Sequence, residues 1–240
     1  MIVLGLDSAT AACSAALWRD GRILARRFRD MDRGQAEALV PMARDVVAEA
    51  GLEFTALDRV GVTVGPGAFT GLRIGLAAAR GIALASGAEL IGVTSLAAVA
   101  AAAFSEEEGG GAAGPLLVAL ETKRADLYVQ LFADDETPMT EPFVARADAV
   151  ASRLPAVPAR LAGDGAGSVS AAFAAAGLAA PARCAARAPD GAVVAVLAAT
   201  RAETHVAAEP IYLRPPQVTP EPGPRGRPAH FPGDLAGGAR

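Results

Sequence analysis

The sequence predicts an α/β protein in which one architecture occurs twice. Three observations point to it. Apolar runs of strand length end in an acid at two places, MIVLGLD at Asp7 and PLLVALE at Glu121. Each is followed by two further strand-like runs and a helical segment. Each half then repeats an apolar strand, a glycine-rich loop and a helix, with TVGPGAF in the first half answered by LAGDGAG in the second. Two such halves, with glycine loops at the carboxyl ends of their strands, face each other over a cleft.

In the first half, residues 2–6 form a buried strand. Residues 14–18 and 22–28 flank Asp20-Gly21, a pair suited to a type I′ hairpin turn. A helix follows, with Ala36, Leu39, Val40, Ala43, Val46, Val47 and Ala50 at helical spacing and Gly51 at the C-terminal cap. Pro41 either bends this helix or moves its regular part to begin near Val40. Residues 60–64 are the next strand, 65–70 the glycine-rich loop, and a long Ala/Gly helix ends at Gly87. A strand at 89–93 and an alanine helix to Phe104, capped by Ser95, complete the half.

Residues 105–114 (SEEEGGGAAG) break the pattern as an exposed linker. Strands are then expected at 115–120, 127–132 and 140–144, and a helix at 146–154. Residues 160–162 lead into the loop 163–167, followed by a helix through Ala176 and a last helix over 190–203. The domains are therefore 1–104 and 115–214. Residues 215–240 hold 7 of the 17 prolines and no apolar run, and are predicted to be a disordered tail.

The helix behind the first glycine loop is informative. Gly71, Gly75 and Ala79 line one face, while Arg73, Ala77 and Arg80 fall on roughly the opposite one. An interior helical glycine costs about 1 kcal/mol relative to alanine, so close packing must compensate. Apart from the arginines nearly every position is apolar, which describes a helix covered on most sides.

Composition narrows the function. A net charge of −4 argues against this chain alone holding nucleic acid tightly. No run reaches 18 apolar residues without a charge, and the N-terminus lacks a basic n-region, so a soluble, cytoplasmic chain without a membrane span is expected. The histidines, His205 and His230, and the cysteines, Cys13 and Cys184, form no His-x-x-x-His or Cys-x-x-Cys pair. No metal site is expected. The absence of a Gly-x-Ser-x-Gly elbow argues against nucleophilic hydrolysis.

The turn Asp7-Ser8-Ala9-Thr10 has two readings: a loop for metal-bridged phosphate, or a carboxylate capping its own turn. Gly65 and Gly67 carry the same ambiguity, since a glycine loop before a helix either cradles an anion or turns the chain tightly. No Gly-Lys-Ser/Thr follows, so this is not a P-loop. Glu121, matching Asp7, is followed by Thr122-Lys123-Arg124, which weakens an ATPase reading. Asp164 in GDGAG is a turn carboxylate or a cleft group.

Together, LGLDSAT, GPGAFTGLRIG after an apolar strand, ALETKRADLYVQLF and EPIYLRPP resemble the TsaB (YeaZ) family over residues 1 to about 216. Ala68 stands where that family often has Ser, and Gly34-Gln35 where it often has a His-Ser or His-Thr pair. The resemblance implies an actin-like ATPase (ASKHA, ribonuclease H-like) fold in two duplicated subdomains. It implies a non-catalytic paralogue of TsaD, with no catalytic residues here and no His-x-x-x-His metal motif. TsaD transfers threonylcarbamoyl from its adenylate to the adenosine 3′ of the anticodon in tRNAs reading ANN codons. The partners implied are a TsaD homologue, bound through helices of the first subdomain, and the ATPase TsaE, with tRNA met only through the complex.

The resemblance places the partner contact at Leu39, Met42, Val46, Leu72, Ile74, Leu76, Ala79 and Ala83. The loops at Asp7, Ser8, Thr10, Gly65 and Gly67 would be vestigial nucleotide loops. No intrinsic cofactor is implied, with ATP or ADP held, where bound, at the subunit contact. A homodimer is the expected alternative pairing when the chain is alone. The competing classes are a stand-alone ASKHA-type ATPase or phosphotransferase working at Asp7, and a glycoprotease-like peptidase.

Overall fold

Each predicted half builds a five-stranded mixed sheet, and the two sheets share one strand order. The computed structural model describes residues 1–106 and 114–214. In the first half β1 (Ile2–Asp7), β2 (Ala12–Arg19) and β3 (Arg22–Asp30) form an antiparallel meander. On the other side of β1, β4 (Arg59–Thr63) and then β5 (Glu89–Val93) pair in parallel, giving the order β3-β2-β1-β4-β5. The second half has β6 (Leu116–Glu121), β7 (Asp126–Phe132), β8 (Phe143–Arg146), β9 (Arg160–Ala162) and β10 (Ala182–Arg183). Their order, β10-β9-β6-β7-β8, is the same arrangement read from the other edge. The duplicated two-subdomain architecture expected from the sequence is present.

Most elements form where periodicity places them. Asp20 and Gly21 take φ of 46° and 93°, as the type I′ turn requires. Helix α1 (Gln35–Glu49) is continuous across Pro41, which is exposed and loses one backbone bond on the solvent side. Helix α2 (Phe69–Ser86) ends at Gly87, whose φ of 76° is the left-handed cap. Three expectations are corrected, and one strand is not foreseen. Helix α3 (Ser95–Ser105) is capped by Thr94, not Ser95: the Thr94 hydroxyl accepts from Ala97 N at 3.1 Å. The third strand of the second half lies at Phe143–Arg146, not 140–144, because Thr140 is spent on the side of β7, its hydroxyl accepting from Leu131 N. The helix expected at 146–154 is only one turn, α4 (Ala147–Val150), followed by a 3₁₀ turn (Ala151–Arg153). The short edge strand β10 is not predicted, since two residues carry no alternation to read.

Helix α5 (Ala166–Ala175) and α4 cover the outer face of the second sheet, as α1 and α2 cover that of the first. The inner faces are covered by exchange. Helix α6 (Gly191–Thr200), capped by Asp190, belongs to the second half by sequence but packs on β1, β2 and β4 of the first sheet. Helix α3, from the first half, packs Leu96, Val99 and Ala103 on Leu116, Val118 and Leu120 of β6. The approach of α6 is close enough to demand glycine beneath it: a Cβ at Gly5 would stand 2.0 Å from Gly191 O.

The expected linker 105–114 lies mostly outside the described residues, and the predicted tail 215–240 lies wholly outside them. Among the described residues no helix is long and apolar enough to cross a membrane.

Candidate functional site: the cleft and the helix behind it

The ends of β1 and β6 meet the two glycine loops in a cleft of about 550 Å³ between the halves. Thr10, Gly67 and Phe69 line it from the first half, and Glu121, Thr122, Lys123 and Asp164 from the second. Its charge is mainly acidic: Asp32, Glu121 and Asp164 face Lys123, which stands 3.6 Å from Asp32. Burial raises the Asp164 pKa against the opposing hydrogen bond from Glu121 N, and the Glu121 charge raises it further.

Asp7 lies beneath this cleft, fully buried. Its Oδ1 accepts from the Thr63 hydroxyl at 2.6 Å and from Ala9 N at 3.1 Å, while Oδ2 has no partner among the described residues. Burial pushes its pKa up to about 7 against those two bonds, with the Asp190 charge adding to the rise. The turn-cap reading of Asp7 is thus realised in its hydrogen bonds. Ser8 donates to Gly71 O at 2.9 Å, and the Thr10 hydroxyl is buried and unpartnered among the described residues.

The glycines of the loop make room for the chain itself. Ala68 N donates to Ala9 O at 2.7 Å, and a Cβ at Gly67 would lie 2.3 Å from that same oxygen. At Gly71 a Cβ would lie 2.1 Å from Ser8 O. The glycine loop thus packs directly against the β1–β2 turn. Gly65 is covered by the C-terminal strap, with Ile211 N bonded to Val64 O at 2.7 Å.

The residues expected at a partner contact belong largely to this chain's own interior. Leu39, Met42, Val46, Leu72, Leu76, Ala79 and Ala83 are all buried in this chain's own structure, and Ile74 is half-buried. Leu39, Met42, Val46, Leu76, Ala79 and Ala83 belong to the core packed on the sheet beneath them. The face of α2 turned to solvent is the opposite one: Thr70, Arg73, Ala77, Gly81 and Leu84 are exposed, Leu84 to 88%. On α1, Ala36 and Val40 are exposed.

Sequence reasoning missed the strap. Residues 206–214 bridge to Gly92 through Val206, accept from Arg80 at Ala208 O, and set Tyr212 5.2 Å from Phe69. Arg73 lies over the same Phe69 ring at 3.8 Å, and Arg214 pairs with Asp126 of the second half. The motif EPIYLRPP was the available signal, but its contacts are long-range and leave no periodicity.

The chain is similar to proteins of known family. A family model described as "TsaD: tRNA N6-adenosine threonylcarbamoyltransferase" matches residues 29–214. The TsaB protein of Escherichia coli K12, described as a tRNA threonylcarbamoyladenosine biosynthesis protein, is 34% identical over 136 residues. That alignment spans 57% of each chain, so the match covers little more than half the length of this relative. Two solved structures from Pseudomonas aeruginosa match more fully. One, of an uncharacterized protein with similarity to peptidase YEAZ, is 29% identical with a TM-score of 0.74, covering 89% of this chain and 99% of that one. The other, YeaZ, is 28% identical with a TM-score of 0.73, covering 88% and 99%. With the family model spanning both halves and the chain similar to the YeaZ structures almost end to end, the chain belongs to the TsaD family.

Proposed function

We propose that this chain is a non-catalytic docking subunit of the machinery that makes N6-threonylcarbamoyladenosine in tRNA, and that it pairs with a TsaD homologue through the solvent face of α1 and α2. One observation carries the docking surface: α2 presents Ala77, Gly81 and Leu84 at i, i+4 and i+7, with a leucine 88% exposed. A large apolar side chain on a small-residue stripe lets a second helix approach closely. In this reading TsaE joins the pair, tRNA is met through the complex, and ATP or ADP, where held, sits at the subunit contact. Without TsaD, the same stripe pairs two copies about a twofold axis.

The test mixes the purified chain with its TsaD counterpart and reads both complex formation and modified nucleoside by mass spectrometry. Leu84→Glu and Ala77→Arg alter only exposed positions, so each folds as the parent does by circular dichroism. Each is expected to weaken the complex at least about tenfold by burying an unpaired charge, and to lower modification accordingly. Wild-type binding and modification by both variants would remove this interface. Modification by TsaD and TsaE without this chain would remove the subunit role.

A further inference from the structure

Residues 19–33 differ in charge from the rest of the chain. They hold six of its 22 basic residues, all arginine, against three acids, while the whole chain carries −4. Each of those acids is already answered from outside the stretch. Asp20 accepts from the N-terminal ammonium at 2.6 Å, Asp30 pairs with Arg187 at 3.2 Å, and Asp32 pairs with Lys123 at 3.6 Å. Arg19, Arg26 and Arg27 pair with Asp20, Asp190 and Glu49. Arg22, Arg29 and Arg33 are exposed and carry no ion pair among the described residues.

The fold strings these three arginines along one line. Arg22 and Arg29 lie near the two ends of β3, about 23 Å apart at the rise of an extended strand, and Arg33 continues the line just before α1. The backbone points to a ligand independently of the charges. β3 is the outermost strand of its sheet and pairs only with β2, so its outer edge leaves backbone N–H groups open. Between the arginines, the Arg26 guanidinium lies 5.3 Å over the half-buried Phe28 ring, a flat surface on which an unstacked base can rest. Guanidinium forks and open backbone N–H groups are the donors that nucleic-acid phosphates take.

We propose that the outer edge of β3, with Arg22, Arg29 and Arg33, is a rail for the phosphate backbone of RNA. The choice of RNA among polyanions rests on the tRNA-machinery reading above, while the rail itself uses none of the α1–α2 stripe. A chain of net charge −4 holds RNA weakly by itself, so the rail adds its contacts to those of the partner subunit. It positions the backbone and reads no sequence.

The probe is a fluorescein-labelled tRNA transcript, titrated with the full chain and read by anisotropy between about 50 and 200 mM salt. Wild type is expected to bind at the low end, with log affinity falling against log salt at a slope of about −3. Arg22→Gln, Arg29→Gln and Arg33→Gln combined, all at exposed positions, should weaken binding at least about tenfold at low salt and flatten the slope by about one per arginine. Arg44→Gln with Arg146→Gln, exposed elsewhere, should change neither. Poly-L-glutamate at equal charge should displace the tRNA at least about tenfold less well than unlabelled tRNA does. No binding at low salt overturns the proposal, and so does equal competition by poly-L-glutamate, which would assign the edge to an acidic protein. Unchanged affinity in the triple variant overturns it too, and leaves the arginines as guards against strand pairing at an open edge. The titration contains no partner subunit, so failure of the α1–α2 interface would leave its result standing.

Discussion

The Thr63 hydroxyl donates a 2.6 Å hydrogen bond to one carboxyl oxygen of Asp7, while the other oxygen is buried without a partner among the described residues. One strong bond does not offset full desolvation of a charge, so the pKa stands near 7 against a reference of 3.8.

A pH dependence of stability follows. Between those two values the folded chain holds a proton that the unfolded chain releases. The stabilisation is therefore complete below the unfolded value and is lost as pH rises through about 7, with a slope of up to about 1.4 kcal/mol per pH unit. Asp7→Asn cannot ionise and still accepts from Thr63. Guanidinium melts at pH 5, 6, 7 and 8 should show wild type losing stability along the series, with the variant flatter and ahead at pH 8. Parallel curves for the two proteins would contradict the assignment.

Two glycines on α2 make opposite predictions. Gly71→Ala drives a methyl to within 2.1 Å of Ser8 O, a backbone atom, and is expected to destabilise by about 1–3 kcal/mol. Gly81→Ala meets nothing within 4 Å and should stabilise by up to about 1 kcal/mol. Urea denaturation separates them, and a neutral Gly71→Ala would mean that the β1–β2 turn yields easily.

The exchange of helices was not legible in the sequence, although the duplication was. Strand, loop and helix order is written locally, in apolar runs, Asp20-Gly21 and Gly87. The partner of α6 is not. Gly191–Thr200 is apolar on nearly every side, as a helix clasped between layers must be, and this erases the amphipathic stripe that would show which sheet it faces. The burial of Leu76 and Ala79 was equally hidden: composition does not tell a helix face packed on the chain's own sheet from one packed on a partner. At the cleft, the residue types at Asp7 and Gly67 were legible, but the packing of Gly67 on Ala9 O joins distant segments and leaves no local signal.

Exchange makes the halves interdependent. Alone, residues 1–106 would leave Val3, Trp18, Ile91 and Val93 uncovered where α6 belongs. That fragment should bind a hydrophobic dye and unfold without a cooperative transition. Adding a fragment of residues 107–240 should restore a sharp melt. A cooperative melt of the first fragment by itself would show that α6 is dispensable.

Arg160 joins three segments, one of them from the first half, from a position only 1% exposed. Its Nη2 donates to Gly114 O at 2.7 Å and to Asp134 at 2.9 Å, and its guanidinium lies 4.7 Å from the Phe104 ring. The end of α3, the entry to β6 and the β7–β8 connection are thereby held by one planar group. Arg160→Ala removes the fork, leaves Gly114 O without that donor and opens a void, at an expected cost of about 3–5 kcal/mol. Arg160→Lys keeps the charge but not the fork, so it should also destabilise, though less. Asp134 is 58% exposed, and Asp134→Asn retains its acceptor oxygen, so its cost should stay below about 1 kcal/mol. Urea melts at pH 7 should rank the three in that order. Equal losses for Asp134→Asn and Arg160→Ala would make the ion pair, not the fork to the Gly114 carbonyl, the source of the stability.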